Sequence, residues 1–494
     1  MRRNLLFYVA VLSVFGAGIY FVLAAGARLQ SGHAVSENRI ESAQVASPSQ
    51  PPQSEAPPPG QAVAPRENLR NPLSILLLQV IVILVAARAV GAIFHKAGQS
   101  AVIGEMVAGI ILGPSLLGLL SPGAQAFLFP AASLDFLKLL SQIGVIIFMF
   151  VVGMDLNVRH LRREAHAAVL VSHASIVVPF FLGVTFSLLV YPSMSPPHIS
   201  FSAFALFIGV AMSITAFPVL ARIVEERGLS GTHLGSTVIA CAAVDDVTAW
   251  CVLAVIVATV RADGLSGSLL TILLSLLFVG AMLFLLRPQA EHLMSARARN
   301  WSGGKRAAAW VLSFLFASAL FTEAIGIHAL FGAFLAGVVM PSHAGLRNFL
   351  RGRLETFSSA FLLPLFFAFT GLRTQLGLLD DWQGWAVCAG VVAVAVAGKL
   401  GGSTLAGRWT GMSWRESFSV GALMNTRGLI ELIVLNLGYD LGILSPRVFA
   451  MMVLMALTTT FMTGPLLALA ELRGRRKSPL PADAGVAALA FKER

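Results

Sequence analysis

Two adjacent carboxylates interrupt one of the most apolar parts of the sequence. The stretch VIACAAVDDVTAW places Asp245 and Asp246 near the middle of an apolar run from about residue 236 to 260, which is long enough to cross a bilayer as a helix. Each carboxylate would cost at least about 2.5 to 3.5 kcal/mol at the bilayer centre. Because successive helical residues point about 100° apart, the two cannot make the same contacts. We expect one to pair with a cation from another helix and the other to face a watery cavity; a purely structural pair is the alternative.

A buried cation is available in a later apolar segment. Lys399, in VAVAVAGKLGGSTLAG, is too far from either end of its predicted helix for comfortable snorkelling. A pair between Lys399 and Asp245 or Asp246 would relieve two costly groups at once. A lysine that snorkels along a tilted helix is the alternative interpretation.

Two further segments predict interrupted helices. AMSITAFPVLARIV contains a proline that removes a backbone donor and frees the carbonyl near Ile214, and GALMNTRGLIELIV carries polar residues at membrane depth. Irregular backbone at this depth is tolerated where it lines protein or a watery cavity. The residues at the two interruptions are Ser213, Thr215, Pro218, Asn425, Thr426, Arg427 and Gly428. Paired interruptions in oppositely oriented halves indicate an inverted repeat with a binding site near the midplane.

Composition places these motifs in a multi-pass membrane protein. The chain has 494 residues, is 56% hydrophobic and 12% charged, and has a mean hydropathy of +0.80. The formal charge of +11 is better explained by basic cytoplasmic loops than by a nucleic-acid surface. Three cysteines without CxxC spacing suggest neither disulfides nor a metal cluster. HExxH, GxSxG and Walker-type loops are missing from the sequence, so we expect a protein that is not an enzyme and needs no cofactor.

The chain divides into four parts. Residues 1–28 begin with MRR and an apolar run, typical of a signal peptide or an N-terminal membrane anchor. Residues 29–72 are rich in Pro, Ser and Ala and predict a disordered external linker, residues 73–471 predict the transmembrane domain, and residues 472–494 predict a short cytoplasmic tail. Lys and Arg are frequent in alternate loops, such as DLNVRHLRREAH, and rare in the others, such as YPSMSPPH. This alternation predicts a multi-pass protein of the inner, cytoplasmic membrane with a cytoplasmic C-terminus.

The apolar segments give the expected fold class, an all-α polytopic membrane protein. About 13 segments approach spanning length after the linker, in addition to the hydrophobic N-terminus. They cover residues 73–95, 101–119, 134–154, 166–191, 199–221, 232–260, 266–287, 306–323, 325–341, 355–373, 384–407, 413–437 and 446–471. Within the second segment, Gly109 and Gly113 have GxxxG spacing, which indicates close helix packing.

The motifs together resemble a known family. AVIGEMVAGIILGPSLLG, GMDL, SITAFPVLARIVEERGL, AAVDDVTAW and MNTRGLIELIVLNLG, in this order, are similar to motifs of the monovalent cation:proton antiporter superfamily, in the branch of bacterial Na⁺/H⁺ antiporters, K⁺ efflux systems and plant cation/proton exchangers. The resemblance implies about 13 helices in inverted repeats, two crossing broken helices, a homodimer and elevator-like movement. It assigns cation and proton binding to Asp246, pairs Asp245 with Lys399, and gives Thr215 a part in holding the ion. Arg427 corresponds to the second crossover.

The expected function is exchange of a monovalent alkali cation, Na⁺ or K⁺, for protons by alternating access. A proton and a dehydrated cation would exclude one another at Asp246, and oxygen ligands from Asp246, the Thr215 hydroxyl and freed carbonyls suit a hard alkali cation. Glu431, four residues after Arg427, could simply pair with it. An ion-coupled organic-anion symporter of the same fold is the main alternative, and a cation channel is a second one.

Overall fold

The computed structural model describes residues 13–29, 71–155, 165–229, 232–261, 265–289, 305–341 and 344–475. Across these ranges the chain is helical, and no strand occurs in them. The α-helices are Ser13–Leu29 (α1), Pro72–Lys96 (α2), Ala101–Leu112 (α3), Leu117–Leu120 (α4), Pro122–Leu128 (α5), Ala131–Asp155 (α6), Ala165–Met194 (α7), Phe201–Ser213 (α8), Phe217–Glu226 (α9), His233–Arg261 (α10), Leu265–Gly280 (α11), Lys305–Ile325 (α12), Ala329–Val338 (α13), Ala344–Phe357 (α14), Leu363–Arg373 (α15), Trp382–Val396 (α16), Gly402–Trp409 (α17), Trp414–Met424 (α18), Leu429–Asp440 (α19) and Pro446–Arg475 (α20). Short π-helical stretches at Ala281–Leu286, Ser358–Leu362 and Ala397–Gly401 extend or join these helices, and Leu376–Leu378 is a 3₁₀ turn.

Several helix starts follow directly from local sequence. The Ser200 hydroxyl accepts a hydrogen bond from the backbone N–H of Ala203 and begins α8. Asp381 caps α16 in the same way, and Ser413 forms a reciprocal capping box with Glu416 at the start of α18. Because the first N–H groups of a helix have no partner within it, these side chains fix where each helix begins.

All the predicted segments contain helix, but some of these helices are too short to cross a membrane by length alone. In the part of the chain that the structure describes, nine helical stretches are long and apolar enough to cross a membrane, and the bent pair α18 and α19 would make ten. The helices α1, α8 and α13 are apolar but shorter. The all-helical membrane fold is therefore confirmed, while the number of 13 spans stays a prediction.

The helices form two bundles that make most of their contacts internally. One, which we call the flanking bundle, consists of α2, α3, α6 and α12–α15. The other, which we call the crossover bundle, consists of α7–α10 and α16–α20. In the crossover bundle the order of long helix, broken helix, long helix occurs twice, first as α7 to α10 and then as α16 to α20. This recurrence agrees with the inverted repeats that the paired interruptions predicted.

Glycines allow close backbone approach inside the flanking bundle. A Cβ on Gly337 of α13 would lie 2.1 Å from the carbonyl oxygen of Phe150 in α6, and one on Gly109 of α3 would lie 2.5 Å from that of Ala368 in α15. Neither separation is compatible with a side chain unless the helices move apart. The GxxxG spacing thus has the packing role that the sequence indicated.

The N-terminal apolar segment forms a helix that packs on the rest of the chain. In α1, the Phe15 ring contacts the edge of Phe181 in α7 with centroids 5.2 Å apart, and Val22 is buried. Helix α2 begins at Pro72, one residue before the predicted boundary, and α20 continues to Arg475. Residues 30–70 of the predicted linker 29–72 and residues 476–494 of the predicted tail 472–494 lie outside the described residues, so both segments stay predictions.

Candidate ion-binding site

The two interrupted helices meet at their breaks. Helix α8 ends at Ser213 and α9 begins at Phe217, while α18 ends at Met424 and α19 begins at Leu429. The backbone N–H of Ala216 donates to the carbonyl oxygen of Thr426 at 3.1 Å, which joins one break to the other. The sequence placed both interruptions correctly, and the structure adds their direct contact.

Side chains satisfy the last four carbonyl groups of α8. The Ser213 hydroxyl donates to the Val210 carbonyl oxygen at 2.9 Å. The Arg427 guanidinium donates to the carbonyl oxygens of Ala211, at 2.9 Å, and of Met212. The Lys399 ammonium donates to the last, that of Ser213 itself. Cations at a helix C-terminus also complement its dipole. In this conformation three of these four carbonyl groups bind protein cations, and the role of freed carbonyls in holding the transported ion stays a prediction.

Asp245 is fully buried and surrounded by donors. Its carboxylate accepts hydrogen bonds from the hydroxyls of Ser172 at 2.6 Å, Ser175 at 2.8 Å and Thr215 at 2.6 Å. The ammonium nitrogen of Lys399 lies 3.0 Å from Asp245 Oδ2, and neither side chain is exposed. Lys399 occupies a π-helical stretch, a local geometry that recurs at functional sites. Of the two pairings that the residues alone left open, the structure forms the one with Asp245.

Asp246 has a different environment, although it is also buried. Its side chain accepts a hydrogen bond from the backbone N–H of Phe217, the first residue of α9. Among the described residues, its Oδ1 atom has no hydrogen-bond partner. Asp246 is therefore held at a helix N-terminus, where negative charge is favoured, with one oxygen left for a further ligand.

Thr215 lies in the first break and contacts Asp245 rather than Asp246. Its hydroxyl donates to Asp245 Oδ2 and lies 3.4 Å from the carbonyl oxygen of Met424. The resemblance placed this hydroxyl beside the ion bound at Asp246. A hydroxyl that donates its proton to one carboxylate keeps lone pairs for a cation, so the geometry leaves that role open.

The second break is held by threonines of α20. The backbone N–H of Arg427 donates to the Thr460 hydroxyl at 3.0 Å, which in turn donates to the Arg427 carbonyl oxygen at 2.7 Å. The hydroxyls of Thr426 and Thr463 lie 3.2 Å apart. Asn425 approaches the Thr459 carbonyl oxygen at 3.5 Å through its amide nitrogen, and its Oδ1 has no hydrogen-bond partner among the described residues. The backbone N–H and carbonyl groups of Arg427, which lie in the interruption, are therefore both satisfied by Thr460.

The buried charges of the crossover bundle do not balance. Arg427 Nη1 lies 3.3 Å from Glu431 Oε1, the i to i+4 ion pair that the sequence suggested, and neither side chain is exposed. In the described part of this bundle the buried Asp, Glu, Lys and Arg side chains are three acids, Asp245, Asp246 and Glu431, and two bases, Lys399 and Arg427. With all five ionised, the site carries one uncompensated negative charge, which Asp246 bears because Lys399 pairs with Asp245 and Arg427 with Glu431.

Two site residues were missed in the sequence. Ser172 and Ser175, three residues apart on α7, both donate to Asp245. The signal was present in VLVSHASIVVPF, where two serines share one face of an otherwise apolar helix. Serine alone is common in membrane helices, so only the position of α7 beside α10 shows their role.

The sequence profile of the transmembrane domain of sodium/hydrogen exchangers matches residues 80–469 of this chain. The chain belongs to the sodium/hydrogen exchanger family. This membership confirms the resemblance to the monovalent cation:proton antiporter superfamily, and it disfavours the symporter alternative. The match covers both bundles, including the two breaks and the aspartate pair.

Individual relatives agree with the family. The chain is 46% identical over 401 residues to the Na⁺/H⁺ antiporter NhaS4 of Synechocystis sp., covering 80% of this chain and 97% of that protein. It is 38% identical over 402 residues to cation/H⁺ antiporter 17 of Arabidopsis thaliana and 32% identical over 412 residues to K⁺/H⁺ antiporter 1 of Saccharomyces cerevisiae. These two alignments cover 81% of this chain but only 48% and 46% of the relatives, so the chain spans about half the length of both eukaryotic proteins.

A solved structure shows the same fold. The sodium proton antiporter MjNhaP1 from Methanocaldococcus jannaschii aligns with a TM-score of 0.56 at 15% identity, covering 82% of this chain and 98% of that one. At this identity the likeness concerns the fold alone.

Proposed function

We propose that this protein exchanges a monovalent alkali cation for protons by alternating access, with Asp246 as the shared binding group. The uncompensated negative charge at Asp246 carries the proposal. A buried, unpaired carboxylate is strongly unfavourable, so Asp246 must hold either a proton or a cation before the site can be enclosed. A single positive charge neutralises the site, whereas a divalent cation would leave an excess positive charge; the count therefore favours a monovalent ion.

Exchange follows from this competition. Asp246 binds one proton or one cation but not both, because either alone neutralises the site. If the crossover bundle changes its access from one side of the membrane to the other only when Asp246 is neutralised, each cation that moves one way is coupled to proton movement in the other direction. A pH gradient can then drive cation transport.

The groups around Asp246 have separate proposed roles. Asp245 and Lys399 form a buried pair that holds α10 against α7 and α16–α17, and proton release from Lys399 when the pair opens would make exchange electrogenic. Thr215, with its proton directed at Asp245, offers its lone pairs to a cation at Asp246. Oxygen ligands of this kind suit Na⁺ and K⁺ equally in type, and the named relatives include exchangers of both.

The proposed setting is an inner, cytoplasmic membrane in which the protein forms a homodimer. The excess of Lys and Arg in alternate loops supports a cytoplasmic C-terminus and an external position for residues 29–72. The homodimer rests on the family resemblance alone.

The experiment that tests the proposal measures proton movement in proteoliposomes. A pH-sensitive dye should report proton release on addition of Na⁺, K⁺ or Li⁺ to wild type, and Asp246→Asn should abolish that response because the amide binds neither proton nor cation. Glu355→Gln, on the exposed surface of α14, is the matched control and should behave as wild type. Absence of any cation-evoked proton movement between about pH 6 and pH 9 would contradict exchange and favour the symporter alternative.

A further inference from the structure

One end of α19 is fastened to the flanking bundle by an arginine that the site itself does not use. Arg373, the last residue of α15, donates to Asn436 Oδ1 at 3.1 Å and to Asp440 Oδ1 at 2.7 Å. Its guanidinium carbon also lies 4.9 Å from the centroid of the Tyr439 ring. Three side chains from the last turn of α19 therefore converge on one guanidinium.

The flanking bundle supplies further contacts to the same turn. Lys138 of α6 places its ammonium nitrogen 3.1 Å from Asp440 Oδ2, so each carboxylate oxygen of Asp440 has its own cation. Asn436 donates to the Thr370 hydroxyl of α15 at 2.8 Å. The Phe369 ring, 4.6 Å from the Arg373 guanidinium carbon, packs against that group. This polar cluster contrasts with the limited packing between α15 and α19 elsewhere.

The cluster stands at the edge of a cavity between the bundles. The cavity has a volume of about 320 Å³, and its lining includes Gln142 of α6, Phe366 of α15 and Ile433, Asn436 and Asp440 of α19. Ile433 lies two residues after Glu431, so α19 connects this cavity to the buried charges of the crossover. A change in the cluster would therefore act on the same helix that holds the second break.

We propose that Arg373, Lys138 and Asp440 form a clamp that fastens the crossover bundle to the flanking bundle in this conformation and opens in each transport cycle. The inference rests on the proposed function, because alternating access requires the bundle that carries Asp246 to move against the other. A displacement of one helical turn, about 5.4 Å, would break both ion pairs of Asp440. Arg373 is thus a positioning residue that sets how readily the bundles separate, and it has no contact with the transported ion.

The clamp is tested by fixing it covalently and reversibly. Lys138→Cys with Asp440→Cys, in a background with Cys241 and Cys388 replaced by Ala and Cys251 by Ser, is joined with a short bis-methanethiosulfonate reagent in proteoliposomes. Cross-linking should lower the rate of cation-evoked proton movement at least tenfold, and a reductant should restore it in the same sample. An unchanged rate in fully cross-linked protein overturns the clamp.

A control pair within one helix separates bundle movement from effects of the reagent. Arg351 and Glu355 form an exposed i to i+4 pair in α14, with Nε and Oε2 3.0 Å apart, and both move with the same helix. Cross-linking of Arg351→Cys with Glu355→Cys should leave the transport rate unchanged. An equal loss in this control would assign the effect to the reagent and overturn the interpretation.

A second measurement does not depend on transport. Gln142→Cys on the cavity wall is labelled with a charged maleimide, alone and combined with Asp440→Asn or, as control, Glu355→Gln. Loss of the clamp should change the labelling rate several-fold in the Asp440→Asn protein only, and equal rates in all three overturn the clamp. If wild type moves no protons with any cation, the proposed function fails, and this labelling result still decides whether the clamp exists.

Discussion

The buried pair between Lys399 and Asp245 allows a quantitative prediction. Lys399 Nζ and Asp245 Oδ2 are 3.0 Å apart with both side chains fully buried, which corresponds to an attraction of about 5.5 kcal/mol at an effective dielectric constant of about 20. Removal of one partner from such a pair typically costs about 3 to 5 kcal/mol. Since three hydroxyl donors remain on Asp245, we expect Lys399→Met to lower the free energy of unfolding by about 3 kcal/mol, at the lower end of that range.

The pair itself is isolated by a double-mutant cycle. Asp245→Asn removes the negative charge of the pair, so the double variant with Lys399→Met leaves neither position with a charge that has lost its partner. It should be more stable than the sum of the single losses predicts. We expect a coupling energy of about 2 to 3 kcal/mol, measured by SDS-induced unfolding in mixed micelles. The exposed pair of Arg351 and Glu355, tested as Gln variants, should give less than about 1 kcal/mol.

The refuting result is additivity at the buried pair. If the coupling between Asp245 and Lys399 is below about 0.5 kcal/mol, the two charges do not depend on each other, and the assignment of the uncompensated charge to Asp246 loses its basis. If the exposed pair of Arg351 and Glu355 gave a coupling energy as large as that expected for the buried pair, the assay would not distinguish buried from exposed ion pairs. Either outcome would require a new account of the charge distribution in the site.

Substitutions at Arg427 and Gly337, each with a comparison variant, test the packing of the crossover and of the flanking bundle. Arg427→Gln should destabilise the protein by at least about 3 kcal/mol in the same unfolding assay, because two carbonyl groups at the end of α8 lose their donors and the buried Glu431 carboxylate loses its cation. Arg427→Lys should restore only part of this loss, since one ammonium does not reproduce the guanidinium fork. Full restoration would contradict the capping role. Gly337→Ala should cost at least about 1 to 3 kcal/mol because its Cβ would lie 2.1 Å from the Phe150 carbonyl oxygen, whereas Gly352→Ala, which meets nothing within 4 Å, should leave the thermal midpoint unchanged or raise it slightly. Equal midpoints for Gly337→Ala and Gly352→Ala would show that α6 and α13 are less closely packed than described.

Several parts of the fold and site could be predicted because they depend on local sequence. Apolar runs of spanning length predict membrane helices, and Pro218 with the polar run at Asn425 predicts where two of them break. A carboxylate in mid-span must be satisfied or functional whatever surrounds it, so Asp245 and Asp246 stood out from sequence alone. The number of spans was less certain, because α8 and α13 are too short to be counted by length.

The residues alone did not fix the partners of these side chains, although the family resemblance implied the pair of Asp245 and Lys399. Lys399 and Asp245 are separated by 154 positions, and Arg427 reaches carbonyls 216 and 215 positions away. Hydropathy and periodicity describe one helix at a time, whereas these contacts depend on how three or four helices are arranged around the crossing.

The sequence by itself determined that this is an all-helical membrane protein with an aspartate pair, a lysine in mid-span and two interrupted helices, because each of these follows from the cost of polar groups in a bilayer. The residues alone left open which aspartate pairs with Lys399, although the family resemblance implied Asp245; the tertiary structure forms that pair, with Asp246 Oδ1 left without a hydrogen-bond partner among the described residues. Only the tertiary structure showed that Ser172 and Ser175 also donate to Asp245. The physical reason is that the net charge of a site depends on all the side chains buried in it. Which side chains are buried together is settled only when the helices have packed.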